Sequence, residues 1–313
     1  MSIIVVGDIQ IQNQEPQRSS CLKFLQWLLE NHKDDTILQA GDFFDKSSIH
    51  HNLTDEVLEI LMQFKDFRIL SGNHDFSDRL GNILKPWRHY NNITIYTKQT
   101  EFEIDGISFI VLPSLPYNEK EEYEKIEGQW DYSICHFTPI QEAFGGEGIE
   151  LKFKTNIAHL FAHIHRHREF IDNFGNKALI TGSVINYRYG EQEWEKNIYK
   201  ITKEGYEKIK VPFFFTYETL EFGQEPSDPN NILNIKEVPS WEELHKKYGN
   251  YNIRREGLEF IQTEENLTFD RKEFEHSDLA QKFNIFSIDA GIPKNVEERC
   301  YYYINKFKDQ DEM

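Results

Sequence analysis

Acidic, amide and imidazole side chains fall repeatedly just after short apolar runs in this chain. Gly7-Asp8-Ile9-Gln10 follows the run that opens at Ile3, and Gly41-Asp42-Phe43-Phe44-Asp45 comes after Thr36–Gln39. Gly72-Asn73-His74-Asp75 follows Phe67–Leu70, His136 follows Tyr132–Cys135, and Leu160-Phe161-Ala162 runs into His163-Ile164-His165. Taken singly, an Asp after a strand is ordinarily a loop or capping carboxylate. Taken as a series, five loops at the carboxyl ends of strands converge on one crevice in an open α/β sheet. They would bring together Asp8, Asp42, Asn73, His74, His136, His163 and His165. His163 and His165 flank a single apolar residue, so in an extended segment both point to one side.

This inventory mixes carboxylates, an amide and imidazoles without a thiolate. Hard oxygen plus imidazole ligation suits manganese, iron or zinc rather than an iron–sulfur cluster. There are too many donors for one ion, and Asp42 at the centre could bridge two. Two ions about 3.5–4 Å apart suit in-line attack at phosphorus. His74, beside Asn73 and not itself a ligand, is placed to stabilise equatorial charge or to protonate the leaving oxygen.

Parallel strands buried on both faces must carry these groups, and the continuous apolar run Ile3–Gly7 has that pattern. Leu22, Leu25, Leu28 and Leu29 recur at helical spacing, predicting a helix near 19–32. A second helix is predicted from Thr54 to Lys65, with Thr54 as its N-cap, and the stretch near 77–88 also reads as helical. Strand signals then follow in short succession at Ile93–Tyr96, Phe102–Ile104, Ile107–Leu112, Tyr132–Cys135, Ala158–Ala162, Ala178–Thr181 and Ile198–Ile201. Strands alternating with helices, then strands in succession, predict a layered α/β fold with mixed sheets. The chain changes character at Pro212, with Pro226 and Pro229 around an Asp/Asn-rich turn and helical pieces near 240–248 and 295–308. The expected division is therefore 1–211 and a smaller α+β domain over 212–313.

With 313 residues, 39% hydrophobic and 28% charged, the chain can bury a core and falls outside the collagen-like and disordered classes. The net charge of −18 divides evenly, with 23 basic against 32 acidic residues up to 211 and 12 against 21 after it. Neither part is a basic nucleic-acid clamp by composition, although a local basic groove is compatible with the total. Cys21, Cys135 and Cys300 are far apart and form no CxxC pair, which argues against a disulfide framework or a cysteine zinc site. The start lacks a basic n-region and cleavage site, and the longest apolar runs are too short to span a bilayer. A cytoplasmic protein with no membrane segment is expected. His50, His51, His89, His159 and His167 fit no ligand spacing and are expected at surface or core positions. The aromatic run Phe213-Phe214-Phe215 is expected in the core or at a domain junction.

In order and interval, GD-x-Q, GDFFD, GNHD, a lone histidine after a strand, and AHIH resemble the five-block signature of the calcineurin-like metallophosphoesterases across residues 3 to about 201. The resemblance implies a metallophosphoesterase core in which Asp8, Asp42 and His165 bind one divalent ion and Asp42, Asn73, His136 and His163 bind another. It also implies that His74 is the catalytic histidine. The first block normally ends in histidine; Gln10 would be a weaker, neutral ligand, giving a looser first site or one more selective for manganese. Ala162 replaces the glycine that normally opens the last block.

Finer stretches resemble the SbcD-type DNA repair nucleases. They are GNHDFSDRL from Gly72, LPSLPY, and Thr181-Gly182-Ser183 followed by Gly190-Glu191. That resemblance implies a manganese-dependent exonuclease and endonuclease for DNA end processing, with the segment 212–313 as a DNA-capping domain. It implies DNA, a Rad50-like (SbcC-type) ATPase and a second copy of the chain as partners. Asp45 would lie near substrate, and Arg79 could touch the DNA backbone. The terminal stretch Val296, Cys300, Tyr303, Ile304 and Phe307 has helical spacing and would pack on its own domain or dock the ATPase. The competing expectation is a phosphatase or phosphodiesterase acting on a small molecule or phosphoprotein.

Overall fold

The fold is a computed structural model that describes residues 2–253, apart from 80, 118, 144–147, 188–190, 192–193, 213–216 and 229–230. The Phe213-Phe214-Phe215 run, Gly190 and the terminal helix expected over 295–308 lie outside the described residues.

Two six-stranded mixed sheets stack face to face. The first contains β1 (Ile3–Val6), β2 (Thr36–Gln39), β3 (Asp66–Leu70), β6 (Ile93–Tyr96), β13 (Asn197–Ile201) and β14 (Tyr206–Lys210), in the order β14-β13-β1-β2-β3-β6. The neighbours β1, β2, β3 and β6 run parallel, and β13 pairs antiparallel with β1. The second contains β7 (Thr100–Ile104), β8 (Ile107–Leu112), β9 (Gln129–His136), β10 (Lys154–Ala162), β11 (Arg168–Ile171) and β12 (Lys177–Ile180), in the order β11-β12-β10-β9-β8-β7. Here β8, β9, β10 and β12 are parallel, with antiparallel strands at both edges. Between the sheets lie Ile3, Val5, Leu38, Phe109, Ile134, Leu160 and Tyr199, while Ile4 and Val6 face the opposite way. This alternation shows why the opening run is apolar at every position: both faces of β1 are covered.

The outer face of the first sheet is covered by α1 (Gln17–His32) and α2 (His51–Leu61). In α1 the buried set is Ser20, Cys21, Phe24, Leu25 and Leu28; in α2 it is Leu53, Val57, Ile60 and Leu61. Both sets recur every three to four residues, giving each helix one apolar stripe. On the far side of the second sheet, α3 (Glu119–Tyr123) contributes Tyr123 to a third cluster with Trp130, Phe137, Phe153 and Phe161.

Two expectations fail locally. Thr54 does not cap α2: the helix begins three residues earlier, and the Thr54 hydroxyl donates back to the His50 carbonyl at 3.2 Å. The stretch 77–88 is not an α-helix. It forms the hairpin β4 (Phe76–Ser77) and β5 (Gly81–Asn82) followed by a 3₁₀ turn over Lys85–His89. Gly81 opens β5 at φ +70, a conformation open to glycine and closed to a helix interior. Arg79 therefore lies on the hairpin, apart from Lys85 and Arg88 in the 3₁₀ turn.

A smaller parallel sheet follows, with β15 (Tyr217–Glu221), β16 (Ile232–Lys236) and β17 (Asn252–Ile253) in the order β15-β16-β17. Between β16 and β17 runs α4 (Trp241–Tyr248), whose Ser240 cap accepts the Glu243 N–H at 3.2 Å. Leu220, Leu233, Ile235, Val238, Leu244 and Tyr248 form its own apolar cluster, and Ile232 packs on the main core.

Leu160 is fully buried between the two large sheets, so Leu160→Ala should destabilise the protein by about 3 kcal/mol, within the usual range for a cavity-forming truncation. Urea unfolding checks this; a loss below ~1 kcal/mol would contradict a tightly packed inter-sheet core.

Candidate metal centre

Six parallel strands end on one rim, and the polar loops that follow them meet there. Asp8 leaves β1, Asp42 follows β2, Asn73 and His74 follow β3, His136 ends β9, and His163 and His165 follow β10. The sixth strand, β12, runs into Gly182 and Ser183, and Ser183 bridges to Asp8. The register places Ala162 opposite His136 on adjacent strands, so the two histidine-bearing ends are level.

Asp8 and Asp42 are 0% and 1% exposed. The His163 N–H donates to both Asp8 oxygens, at 3.2 and 3.1 Å, and the His74 N–H donates to Asp42 Oδ1 at 2.9 Å. His136 donates its Nδ1–H to the Ala40 carbonyl at 2.9 Å, which turns Nε2 toward Asp42 Oδ1 at 3.2 Å and Asn73 Oδ1 at 3.3 Å. His165 Nε2 lies 3.8 Å from Asp8 Oδ2. Gln10 donates weakly from Nε2 to Asp42 Oδ2 at 3.4 Å.

Three of these residues hold a left-handed backbone: Gln10 at φ 49, Asp42 at φ 48 and His163 at φ 84. Such strain in side-chain-bearing residues costs on the order of 1–3 kcal/mol each and gathers where side chains must be aimed. Close approach also fixes two glycines. A Cβ on Gly41, at φ +108, would meet His136 Nδ1 at 2.2 Å, and one on Gly72 would meet Asp42 Oδ1 at 2.1 Å.

The electrostatics follow from burial. Burial pushes the Asp8 carboxyl up to about 6, with His136 opposing and Asp42 adding to the rise. For Asp42 burial also raises, but His136 and His74 more than offset it and hold the group below the usual carboxylate range. Burial disfavours charge on His136, yet Asp42 and Asp8 lift its pKa to about 10. His163 is pushed down to about 4, by burial first and then by His136. The centre thus concentrates negative charge where protons or cations are the only compensation.

A divalent ion fits this donor set. Ligand atoms of Asp42, His136 and His163 all lie within 4.8 Å of one another. Gln10 Oε1 and His163 Nδ1 are buried with no hydrogen-bond partner, an expensive state for polar atoms unless something else satisfies them. Gln10, Asp42, Asn73, His74, His136, His163 and His165 line one cavity of about 800 Å³, with Ser114, Glu119, Phe137, Thr138, Glu142 and Ile149 also in its wall.

The remaining sequence-predicted residues sit differently. Asp45 is 6% exposed; its carboxylate accepts from the Tyr187 hydroxyl and its carbonyl pairs with His74 Nδ1. Arg79 is exposed on the β4–β5 hairpin, outside the cavity lining. His50, His51 and His89 are exposed, whereas His159 is fully buried beside Ser133 Oγ at 2.6 Å.

Sequence reasoning gave no role to Asp75, although it closes the GNHD block. Its carboxylate accepts the N–H groups of Phe43 at 3.2 Å, Phe44 at 3.0 Å and Gly72 at 2.9 Å, tying the β2 loop to the β3 loop. Burial pushes its pKa up to about 7. Glu191 was legible only as part of a resemblance; in the fold it meets His165 Nδ1 at 3.1 Å.

The family model for calcineurin-like phosphoesterase matches residues 1–167. Among solved structures, an archaeal phosphodiesterase is 15% identical over 67% of this chain and 100% of its own, with a TM-score of 0.38. A hypothetical protein from Thermus thermophilus is 11% identical over 68% of this chain and 100% of its own, with a TM-score of 0.37. No curated protein matches the chain.

Removing the Asp75 carboxylate would strand three buried donors at once. Asp75→Ala should therefore cost about 3 kcal/mol and weaken divalent-ion uptake, while Asp75→Asn, which keeps an acceptor oxygen, should cost less than half as much. Urea unfolding together with manganese titration checks both variants; equal losses would show that the hydrogen bonds are not what Asp75 contributes.

Proposed function

The chain belongs to the calcineurin-like phosphoesterase family, and from that premise we propose that it is a two-metal phosphodiester hydrolase acting on DNA. The observation that carries the hydrolase reading is the convergence of Asp42, Asn73, His136, His163 and His165 from two sheets onto one cavity that His74 also lines, with Asp8 buried beside His136 and His165. The nuclease reading rests on the stretches from Gly72, Leu112 and Thr181 that resemble the SbcD type. In this reading Asp8, Gln10, Asp42 and His165 hold one divalent ion and Asp42, Asn73, His136 and His163 the other, with manganese the expected metal. The ions, when bound, supply Lewis-acid stabilisation of phosphoryl charge and acidify the attacking water.

The protein's own groups do the rest. His74 pairs through Nδ1 with the Asp45 carbonyl, which fixes the ring and leaves Nε2 at the cavity wall, 3.9 Å from Asp42 Oδ2. From there a protonated His74 can stabilise equatorial charge or give its proton to the leaving oxygen. The Tyr187 hydroxyl, bonded to the Asp45 carboxylate, steadies that support. DNA, a Rad50-like ATPase and a second copy of the chain are the proposed partners, with the segment 212–313 as a capping domain. Arg79 is proposed as a backbone contact and Asp45 as a residue bordering the substrate. Among the described residues no helix is long and apolar enough to cross a membrane.

One observation favours a second reading, hydrolysis of a small phosphodiester or phosphomonoester. The cavity wall presents Glu119 and Glu142, with neither Lys nor Arg among its described lining residues, and the whole chain carries −18.

With manganese, the native protein should degrade linear double-stranded DNA. His74→Ala should lose about 10²- to 10⁴-fold of that rate while still taking up two ions. Turnover of bis-p-nitrophenyl phosphate without DNA cleavage would instead select the second reading. Gln10→His, which supplies the imidazole usual at that block, should tighten the weaker of the two ions about tenfold in a manganese titration. An unchanged affinity would mean that residue 10 is not a ligand.

A further inference from the structure

We propose that Glu191 and Lys196 form a buried positioning unit for His165, and that this unit sustains ion binding at the first metal site although that site carries Gln10. The inference rests on the two-metal reading above and adds residues that lie outside its ligand set.

Glu191 is 3% exposed and Lys196 1%. Glu191 Oε1 lies 3.1 Å from His165 Nδ1, so the carboxylate takes the Nδ1–H and leaves Nε2 to face Asp8. A histidine held this way presents one fixed nitrogen and is a stronger donor; losing such a support typically costs 10–100-fold in metal affinity. The carboxylate is itself immobilised. Its Oε2 accepts from Lys196 Nζ at 3.2 Å and from the Tyr187 N–H at 3.0 Å, and lies 3.3 Å from Ser183 Oγ. Lys196 Nζ also donates to Ser183 Oγ at 2.8 Å. An ion pair this deeply buried is costly to build.

The same connection clamps both sides of the site. The Ser183 N–H donates to the His165 carbonyl at 3.0 Å, and the Val184 N–H donates to the Asp8 carbonyl at 3.1 Å. Gly7 presses so closely on this loop that a Cβ there would sit 2.0 Å from the Gly182 carbonyl oxygen. Asp8 from the first sheet and His165 from the second are thus held by one loop. Gln10 offers that site only a neutral amide oxygen, so its donor strength falls on Asp8, His165 and the shared Asp42. The loop holds the first two.

The test is manganese titration of the full chain by calorimetry, with His165→Ala identifying which binding event belongs to the first site. Glu191→Gln, which is isosteric, should weaken that event about 10- to 100-fold and leave the other within about twofold. Lys196→Met should do the same by freeing Glu191 to turn away; should it fail to fold, Glu191→Gln carries the test. In a His165→Ala background, Glu191→Gln should change nothing further, an outcome that a general structural role would not give. Equal weakening of both events, no weakening, or a further fall in the His165→Ala background would overturn the proposal. A native protein that binds fewer than two ions would overturn the two-metal reading and this inference together, whereas two ions with unaltered affinity in Glu191→Gln would overturn this inference alone.

Discussion

Asp8 and Asp42 end adjacent parallel strands in near-complete burial, and the charge of Asp42 adds to the burial that raises the Asp8 pKa. Two carboxylates in that position stay ionised only if positive charge is brought to them. Much of the rim can be read as a response to that requirement. His136 reaches across from the second sheet, backbone N–H groups of His74 and His163 point at the carboxylates, and unpartnered donor atoms of Gln10 and His163 remain beside them. A divalent ion is the compensation this arrangement fits best.

That requirement also explains why two stacked sheets are needed rather than one. His136 stands on β9, yet its ring is fixed by the Ala40 carbonyl after β2, so the sheets must stack in a single alignment. On the same strand, Tyr132 donates its hydroxyl to the carbonyls of Thr202 and Gly205, in the turn between β13 and β14. The apolar layer between the sheets, with Val5, Leu38, Ile134 and Leu160, supplies the rigidity that lets these two ties set the distance. The left-handed backbones at Gln10, Asp42 and His163 are sustained by that rigidity, and Asp75 adds a local brace between the two loops that carry Asp42 and Asn73.

Much of the framework was legible in the chain. The runs at Thr36–Gln39, Ile93–Tyr96 and Ile107–Leu112 become strands with those same limits. Reading failed where a local signal had two outcomes. Thr54 has the residue type of a cap, but its hydroxyl bonds backward inside α2. The 77–88 stretch has helix-compatible residues, but Gly81 and the Asn82 side chain, which accepts the Leu84 N–H at 2.9 Å, favour a hairpin and turn. The edge strands β11 and β14, with mixed exposure, carried too weak a pattern to be read.

By itself the sequence determined the inventory of the site: which donor types exist, their order, and their place after successive strands. Periodicity sets which face a side chain takes, and strand ends set the rim, so both follow from local spacing. What only the tertiary structure decided is which of those polar residues touch one another. Nothing in the spacing tells that Asp75 braces backbone amides while Asp42, in the neighbouring loop, faces the cavity. Nor does it tell that Asp45 supports His74, or that Glu191 reaches His165 from 26 residues away. These pairings depend on distances across two sheets, and those distances are set by how the inter-sheet core packs, a sum over many side chains that no single motif contains.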